Sequence, residues 1–335
     1  MAFRSLHYAK MAQLKEKVKN TLDEGRILVI GSQVLLGFQF RATFEPGFEL
    51  LSAHAKYLKF AGLGLMVLAV ALLIWPATYH QLTENGEDTE DVHRFASAVL
   101  SAAILPFAFG LGIDFFVSAE LLFGRTQGVV AGATAFVTAV LFWYGLELVH
   151  RKKYAKEIEG ERKMSQEQEQ KQGSGMKLGD KIKQVLTEIR VALPGAQALI
   201  GFQFISLFME AFQKLPQSLK IIHFISLCCV GLTIILLMTP AAYHRIVEQG
   251  EQTERFHRFA SRILLWSLVP LALGISGDFY VVAHKVTESG IISGALAALA
   301  LLILYGLWFG YTIQQRRSRS RPEQSFRIEV HSLLR

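Results

Sequence analysis

PATYH at residues 76–80 and HRFAS at residues 93–97 return later in the chain as PAAYH at 240–244 and HRFAS at 257–261. Matching positions differ by the same offset of 164, from 80 to 244 and from 93 to 257. Such a regular offset indicates an internal duplication, with two copies of one structural unit. In each copy the polar stretch lies between two apolar runs. We therefore predict a hairpin between two membrane spans, at one face of the membrane.

Six apolar runs without a charged residue predict membrane-spanning helices. Each run is about 19 to 21 residues long, enough at a rise of about 1.5 Å per residue to cross a hydrocarbon core of about 30 Å. The composition agrees, because 51% of the residues are hydrophobic although the ends and the middle of the chain are polar. The runs are residues 60–79, 95–113, 128–146, 191–209, 224–243 and 291–311.

The first span of each unit is the least typical. It reads GSQVLLGFQF at residues 31–40 and GAQALIGFQF at residues 195–204, with two glutamines in each copy. A buried amide in a membrane costs free energy unless it finds a hydrogen-bond partner, so this span is predicted to pack inside the helix bundle. Four spans per unit give eight in all. The predicted fold class is an all-α polytopic membrane protein with eight transmembrane helices.

Basic residues decide the predicted orientation. The N-terminus, the linker and the C-terminus are rich in Lys and Arg, which favours the cytoplasmic side for all three. An even number of spans per unit follows, with two repeats in the same orientation and both termini inside. We divide the chain into a first four-span repeat at 14–150, a cytoplasmic polar linker at 151–177, a second four-span repeat at 178–315 and a basic cytoplasmic tail at 316–335.

The two ends of each repeat carry further signals. Leu14, Val18 and Leu22 recur at helical spacing between lysines, and the pattern returns at residues 178–186. This pattern predicts a short amphipathic helix on the inner membrane surface at the start of each repeat. The fourth spans contain Tyr-Gly at residue 144 and again at residue 305, an offset of 161. The second outer loop is therefore predicted to be three residues shorter than the first.

Two pieces of the second unit, LPGAQALIGFQF at residues 193–204 and TPAAYHR at 239–245, carry a resemblance. They resemble an uncharacterised family of bacterial inner-membrane proteins, a domain of unknown function whose members are commonly one four-span unit. The first unit departs from the pattern, with Ile30 where the second has Pro194 and Gln81 where it has Arg245. The resemblance implies a location in the bacterial inner (plasma) membrane and a tandem duplication. If single-unit relatives dimerise, this chain resembles a covalent pseudo-dimer.

The duplicated hairpin suggests three interpretations. His80, His93, His244 and His257 are candidates for pH sensing or gating, because histidine changes charge near neutral pH. Glu-x-x-His also has the spacing of carboxylate metal sites in helix bundles. The structural alternative is that Thr89 and Thr253 cap the third span of each repeat, while the histidines anchor helix ends. The metal-ligand candidates are Glu84, Glu90, His93, Glu248, Glu254 and His257.

A second group of candidates lies within the predicted spans. Asp114 and Asp278 are acids at comparable depth in the outer part of the membrane, and an acid there is a candidate functional site. We expect Arg41 as the partner of Asp114 and the amide of Gln203 as the partner of Asp278. The structural alternative is a hydrated Asp at the outer end of its span. The candidates for an ion or proton pathway are Asp114, Asp278, Gln39, Gln203 and Arg41.

Function remains open between three hypotheses at this stage. The first is a channel or transporter for a small ion or proton, with a route between the two repeats. The second is a membrane scaffold or sensor that binds lipid or a partner without transport, and the third is a metal- or haem-binding redox protein. No enzyme motif stands in its required context, so we expect neither an enzyme nor a cofactor. The net charge of +7 fits an anionic inner leaflet better than nucleic acid, and a homo-oligomer stays open.

Overall fold

The computed structural model describes residues 2–84, 87–145, 178–248 and 253–311, and all regular secondary structure in these ranges is helical. The predicted linker at 151–177, the tail at 316–335 and the last residues of each predicted repeat lie outside the described residues. The first repeat contains α1 (Ala2–Ala42), α2 (Ala53–Leu82), α3 (Glu90–Phe123) and α4 (Arg125–Val140). The second contains α5 (Leu178–Ser206), α6 (Gln217–Ile246), α7 (Glu254–Thr287) and α8 (Gly290–Tyr305).

The helix boundaries reproduce the duplication. Both ends of α2 and of α3 return in α6 and α7 at the same offset of 164. The prediction of a shorter second outer loop is wrong. Gly124 alone joins α3 to α4, whereas Glu288 and Ser289 join α7 to α8. The fourth helices continue as π-helix at Leu141–Gly145 and Gly306–Tyr311.

Helix α1 is one unbroken helix of 41 residues, about 61 Å long. The predicted amphipathic helix at its start is therefore continuous with the first span, and α5 likewise runs from residue 178 through its apolar part without a break. The reason is visible in the burial of α1, because Val18, Asn20 and Thr21 are buried. This segment packs against protein and continues the span, instead of lying on the lipid surface.

Seven helices in the described ranges are long and apolar enough to cross a membrane, counting α4 and α8 together with π-helical residues that follow them. Helix α1 does not reach the same hydropathy. Its uncharged part, residues 27–40, lies between two arginines and contains two glutamines. Its counterpart α5 is the least apolar of the seven. The chain is therefore an all-α, multi-pass membrane protein with two repeats.

The hairpin in each repeat ends at a capped helix. The hydroxyl of Thr89 accepts a hydrogen bond from the backbone N–H of Val92 at 3.2 Å, at the start of α3. The hydroxyl of Thr253 does the same for Phe256 at 3.0 Å, at the start of α7. The predicted capping role of both threonines is confirmed.

Helices α1 and α5 form the centre of the contact between the repeats. The Asp23 carboxylate lies 3.7 Å from the Arg190 guanidinium, and farther along both helices Phe38 packs on the backbone of Gly201. Beyond the helix ends, the N–H of Gly47 donates a hydrogen bond of 2.7 Å to the carbonyl of Phe208.

The end of the first repeat also packs against α6 of the second repeat. Trp143 is fully buried, and its indole N–H donates a 2.9 Å hydrogen bond to the carbonyl of Ile235. Nearby, the ring of Phe115 lies directly over Gly231. One continuous hydrophobic core therefore runs through both repeats.

We expect Gly201→Ala to destabilise the protein by about 1–3 kcal/mol, because the added methyl group would overlap the ring of Phe38. The repeat supplies a matched control in Gly37, where an added methyl group meets open space. Within a single chain, Gly37→Ala should leave stability unchanged or raise it slightly. Denaturant unfolding of both variants in detergent micelles checks this, and equal stabilities would contradict the described contact.

Candidate functional site

Asp114 lies at the centre of a buried polar cluster in the first repeat. Helix α3 places its carboxylate against α2 and α1, where Lys59 donates to one oxygen and the amide of Gln39 donates to the other. The side chains of Lys59 and Asp114 are 2% and 0% exposed. We call Gln39, Lys59 and Asp114 the first triad.

The second repeat contains the same arrangement with one substitution. Gln203 on α5 donates a 2.6 Å hydrogen bond to Oδ2 of Asp278 on α7. The counterpart of Lys59 is His223 on α6, and its Nδ1 lies 2.9 Å from Oδ1 of Asp278. We call Gln203, His223 and Asp278 the second triad.

The hydrogen bonds of His223 determine how many protons the second triad holds. Nε2 lies 3.1 Å from the backbone carbonyl of Gln203, which only accepts, so Nε2 must carry a proton. The contact between Nδ1 and Asp278 then needs a second proton, located on one of its two atoms. With this set of hydrogen bonds, a proton shared between His223 and Asp278 gives either an ion pair or a neutral imidazole with a carboxylic acid. Shifting one proton by a short distance converts one form into the other.

The surroundings of the two triads differ. Above the first triad, the rings of Phe204 and Phe208 from the second repeat lie 5.8 and 6.0 Å from the ammonium group of Lys59. These rings seal the first triad and add a cation–π attraction. In the second triad, the side chain of Asp278 is 22% exposed. It lines an apolar pocket of about 320 Å³ together with His223 and Gln203.

The structure corrects one predicted partner and confirms another. Arg41 is not the partner of Asp114, because its exposed side chain pairs at 2.7 Å with the largely buried Glu45. The reason is that Arg41 lies at the last turn of α1 and points out of the bundle. The predicted hydrogen bond between Gln203 and Asp278 is present.

Sequence reasoning missed Lys59 and His223. Lys59 stands at the end of a polar, loop-like stretch, which gives no local sign of its burial. The signal that could have found both is the constant offset of 164. It relates 59 to 223 just as it relates Gln39 to Gln203 and Asp114 to Asp278.

The predicted histidines of the hairpins lie in separate surroundings. In the first repeat, His80 lies 3.5 Å from Asp88, and His93 Nδ1 lies 3.1 Å from the hydroxyl of Thr21 on α1. His257 is half-buried in the first turn of α7. These contacts connect the hairpin to neighbouring helices.

The predicted metal ligands are not brought together. Glu84 accepts a hydrogen bond from Thr89 at 3.2 Å, and Glu90 lies 3.9 Å from Arg94 on an exposed surface. Glu248 is buried, whereas Glu254 is half-buried. Within the part of the chain that the structure describes, no three His, Cys, Asp or Glu residues converge as a metal site.

His244 belongs to a buried cluster that joins the two repeats. Its Nδ1 lies 3.0 Å from Oε1 of Glu24 on α1, and Arg245 lies 3.8 Å from the other carboxylate oxygen. The side chains of these three residues are almost fully buried. Glu188 is the counterpart of Glu24 in the second repeat, but it is exposed and accepts from Gln184. Of the two equivalent glutamates, only Glu24 therefore takes part in such a cluster, which sequence reasoning did not foresee.

Two four-helix repeats with long apolar helices define a polytopic membrane protein of duplicated architecture. The model of a family of unknown function, DUF6328, matches residues 9–147 and again residues 174–312. The chain belongs to this family and contains its unit twice, as the resemblance of residues 193–204 and 239–245 implies. No curated protein and no solved structure matches the chain.

We expect Asp114→Asn to cost about 3–5 kcal/mol of stability, because it leaves the Lys59 ammonium buried without a counter-charge. Asp278→Asn should cost less, about 1–3 kcal/mol, because an imidazole, unlike an ammonium group, can be buried as a neutral hydrogen-bonded group. Replacing Lys59 by Met together with Asp114 by Leu should recover most of the loss. Denaturant unfolding in micelles measures all three, and equal costs at both acids would contradict the distinction between the triads.

We expect Glu24→Ala to destabilise the protein by about 3 kcal/mol, because it removes the buried carboxylate from His244 and Arg245. Glu188→Ala is the matched control in the other repeat. Its exposed side chain should contribute less than about 0.5 kcal/mol. The same unfolding measurement compares the two variants, and a similar loss in both would show that the cross-repeat cluster does not stabilise the fold.

Proposed function

We propose that this membrane protein binds and releases protons at the second triad, as a proton or small-ion transporter. The observation that carries the proposal is the difference at one repeated position, Lys59 in the first triad and His223 in the second. Lysine beside a buried carboxylate forms a fixed ion pair. Histidine is, in general, the side chain that serves to bind and release protons in proteins. Duplication thus provides one triad with a fixed ion pair and one triad that can exchange a proton.

Access to solvent supports the same assignment. The first triad has almost no exposed surface and is covered by two phenylalanines of the second repeat. Asp278 and His223 border a pocket of about 320 Å³ that is lined by residues of the second repeat. A proton therefore has a way to reach His223 and Asp278 without opening the repeat interface.

The proposal modifies the predicted route between the two repeats. Each triad is built from side chains of one repeat, and the side chain of Asp114 has no exposed surface. A route lined by both acids would require the first triad to open. We therefore assign the exchange of protons to Asp278, His223 and Gln203, and a structural role to Asp114, Lys59 and Gln39.

We further propose eight spans with both repeats in the same orientation and both termini in the cytoplasm of a bacterium. Contacts between α1 and α5 support this topology. They advance in step along both helices, from Asp23 with Arg190 to Phe38 with Gly201. The eighth span is α1, whose counterpart α5 satisfies the length and hydropathy of a membrane helix. The anionic inner leaflet would bind the basic ends.

A second candidate function is a sensor or scaffold without transport. The specific observation in its favour is that both acids are held in direct side-chain pairs inside their own repeats. In this case a proton at His223 would change the packing of α5, α6 and α7, and a cytoplasmic partner or lipid would read the change. Transport and sensing share the second triad, so a flux measurement distinguishes them.

We expect purified protein in proteoliposomes to conduct protons or small cations between about pH 5 and pH 8, the range in which histidine commonly changes charge. Asp278→Asn should abolish the flux, and His223→Lys should abolish it by copying the first triad. The control is the pair Lys59→Gln with Asp114→Asn, which neutralises the first triad and should retain flux.

Three results would decide against this function or part of it. Absence of flux in well-folded wild-type protein would overturn transport and leave the sensor. Loss of flux in the control pair alone would move the active role to the first triad. Unchanged flux in both second-triad variants would show that His223 and Asp278 do not handle the transported ion.

A further inference from the structure

The two repeats contact each other through two different surfaces. We call the surface on the first repeat the front face and the surface on the second repeat the rear face. The contact is therefore heterologous, which means that the two partners do not use the same patch. The front face contains Gly31, Phe38, Phe115 and Trp143, and the rear face contains Gln197, Gly201, Gly231 and Ile235.

Because the chain is a duplication, each repeat carries both faces. The offset of 164 gives the positions up to the third helix, and the starts of α4 and α8 at residues 125 and 290 give an offset of 165 for the fourth helix. The front face of the second repeat contains Gly195, Phe202, Phe279 and Trp308. The rear face of the first repeat contains Gln33, Gly37, Val67 and Ala71.

Most of these two remaining faces is uncovered, although Phe202 also touches Phe38 of the first repeat, with ring centroids 4.3 Å apart, and Trp308 is half-buried. Phe115 in the used front face is 4% exposed, whereas its counterpart Phe279 is 43% exposed. On the rear faces, Met238 is 2% exposed and its counterpart Ile74 is 41% exposed. An apolar pocket of about 300 Å³ opens beside Ile74 in the first repeat. The chain thus ends in a free front face on one side and a free rear face on the other.

The residue types at the centre of the free faces match those of the existing contact. Inside the chain, the amide of Gln197 lies on Gly31, and the ring of Phe38 lies on Gly201. At the free faces the counterparts of these partners are Gln33 with Gly195, and Phe202 with Gly37, and the Phe202 ring must turn away from Phe38 to reach a neighbouring chain. Neither Gly37 nor Gly195 has a neighbour where a side chain would begin, so both can accept one.

The match extends toward the end of the interface at the fourth helix. Trp308 repeats Trp143, whose partner is the backbone carbonyl of Ile235. The position of Ile235 is Ala71 in the first repeat, and a carbonyl can accept the indole N–H whatever side chain its residue carries. Ala71 is exposed on the free rear face. The backbone carbonyl of Ala71 can therefore accept the indole N–H of Trp308 from a neighbouring chain.

The contact between Glu24 and His244 has counterparts at the free faces, whereas the close packing at Gly231 does not. Glu188 and His80 are the counterparts of Glu24 and His244. The rear face of the first repeat has Val67 where the second has Gly231. The ring of Phe279 must therefore pack beside a larger side chain than Phe115 does.

We propose that a second copy of this chain docks head to tail, with the front face of its second repeat on the rear face of the first repeat of its neighbour. The contacts are those that already join the two repeats of one chain. In a membrane, close approach at glycines and buried hydrogen bonds drive such association. A heterologous contact of this kind closes into a ring or continues as a row, and the chain is its two-repeat building block.

Photo-cross-linking tests the contact directly. A benzophenone amino acid replaces Trp308, and irradiation of membranes should produce covalent dimers and higher species whose linked peptides map to α2 around Ala71. The same probe at Trp143 should link to α6 within one chain and keep the monomer mass. The control position is Leu302, because its counterpart Val137 stays exposed in the repeat whose front face is covered. The probe there should form no protein dimer.

Native mass measurement of the complete protein in nanodiscs provides a second and independent test. Wild type should have a mass of two or more chains. Ala71→Trp places a bulky side chain on the free rear face and should shift the protein toward monomer, whereas Leu302→Trp should not. Monomeric wild type, or dimers whose linked peptides lie away from α2, would overturn the proposal.

Discussion

A charged lysine enclosed among helices must keep its carboxylate, and the Lys59–Asp114 ion pair imposes this requirement on the first repeat. Neither charge can separate from the other without a large loss of free energy. The pair therefore fixes α2 against α3, and Gln39 adds α1 to the same point. Phe204 and Phe208 complete the enclosure from the second repeat. One buried ion pair, which must be kept away from water, thus constrains the positions of α1, α2, α3 and α5.

Duplication explains how a second, less rigid version of this site coexists with the first. One copy of a repeated site satisfies the structural demand of joining three helices in a repeat. The other copy can then accept a different residue, as it does with His223 in place of lysine, without loss of the whole fold. The hydrogen bonds of His223 to Asp278 and to the Gln203 carbonyl keep the imidazole oriented in either proton arrangement.

The repeat, the helical fold, the capping threonines and the bond of Gln203 to Asp278 could be predicted from the sequence, because they follow from periodicity and local rules. The partner of Asp114 could not, since Arg41 and Lys59 are both cations near the correct depth. Only three-dimensional packing shows that Arg41 lies outside the bundle. The pairing of Glu24 with His244 also escaped, because it depends on how two repeats pack, which their own residues do not reveal one repeat at a time.

The unbroken α1 connects distant parts of the molecule. Its Thr21 contacts His93, its Glu24 contacts His244 and its Gln39 holds Asp114, so one stiff element touches two hairpins and a buried acid. Glu24 and Gln39 are about 22 Å apart along the helix axis. A tilt of this helix at one end must displace the other. One helix therefore spans the distance between the hairpins and Asp114, although no side chain reaches from one to the other.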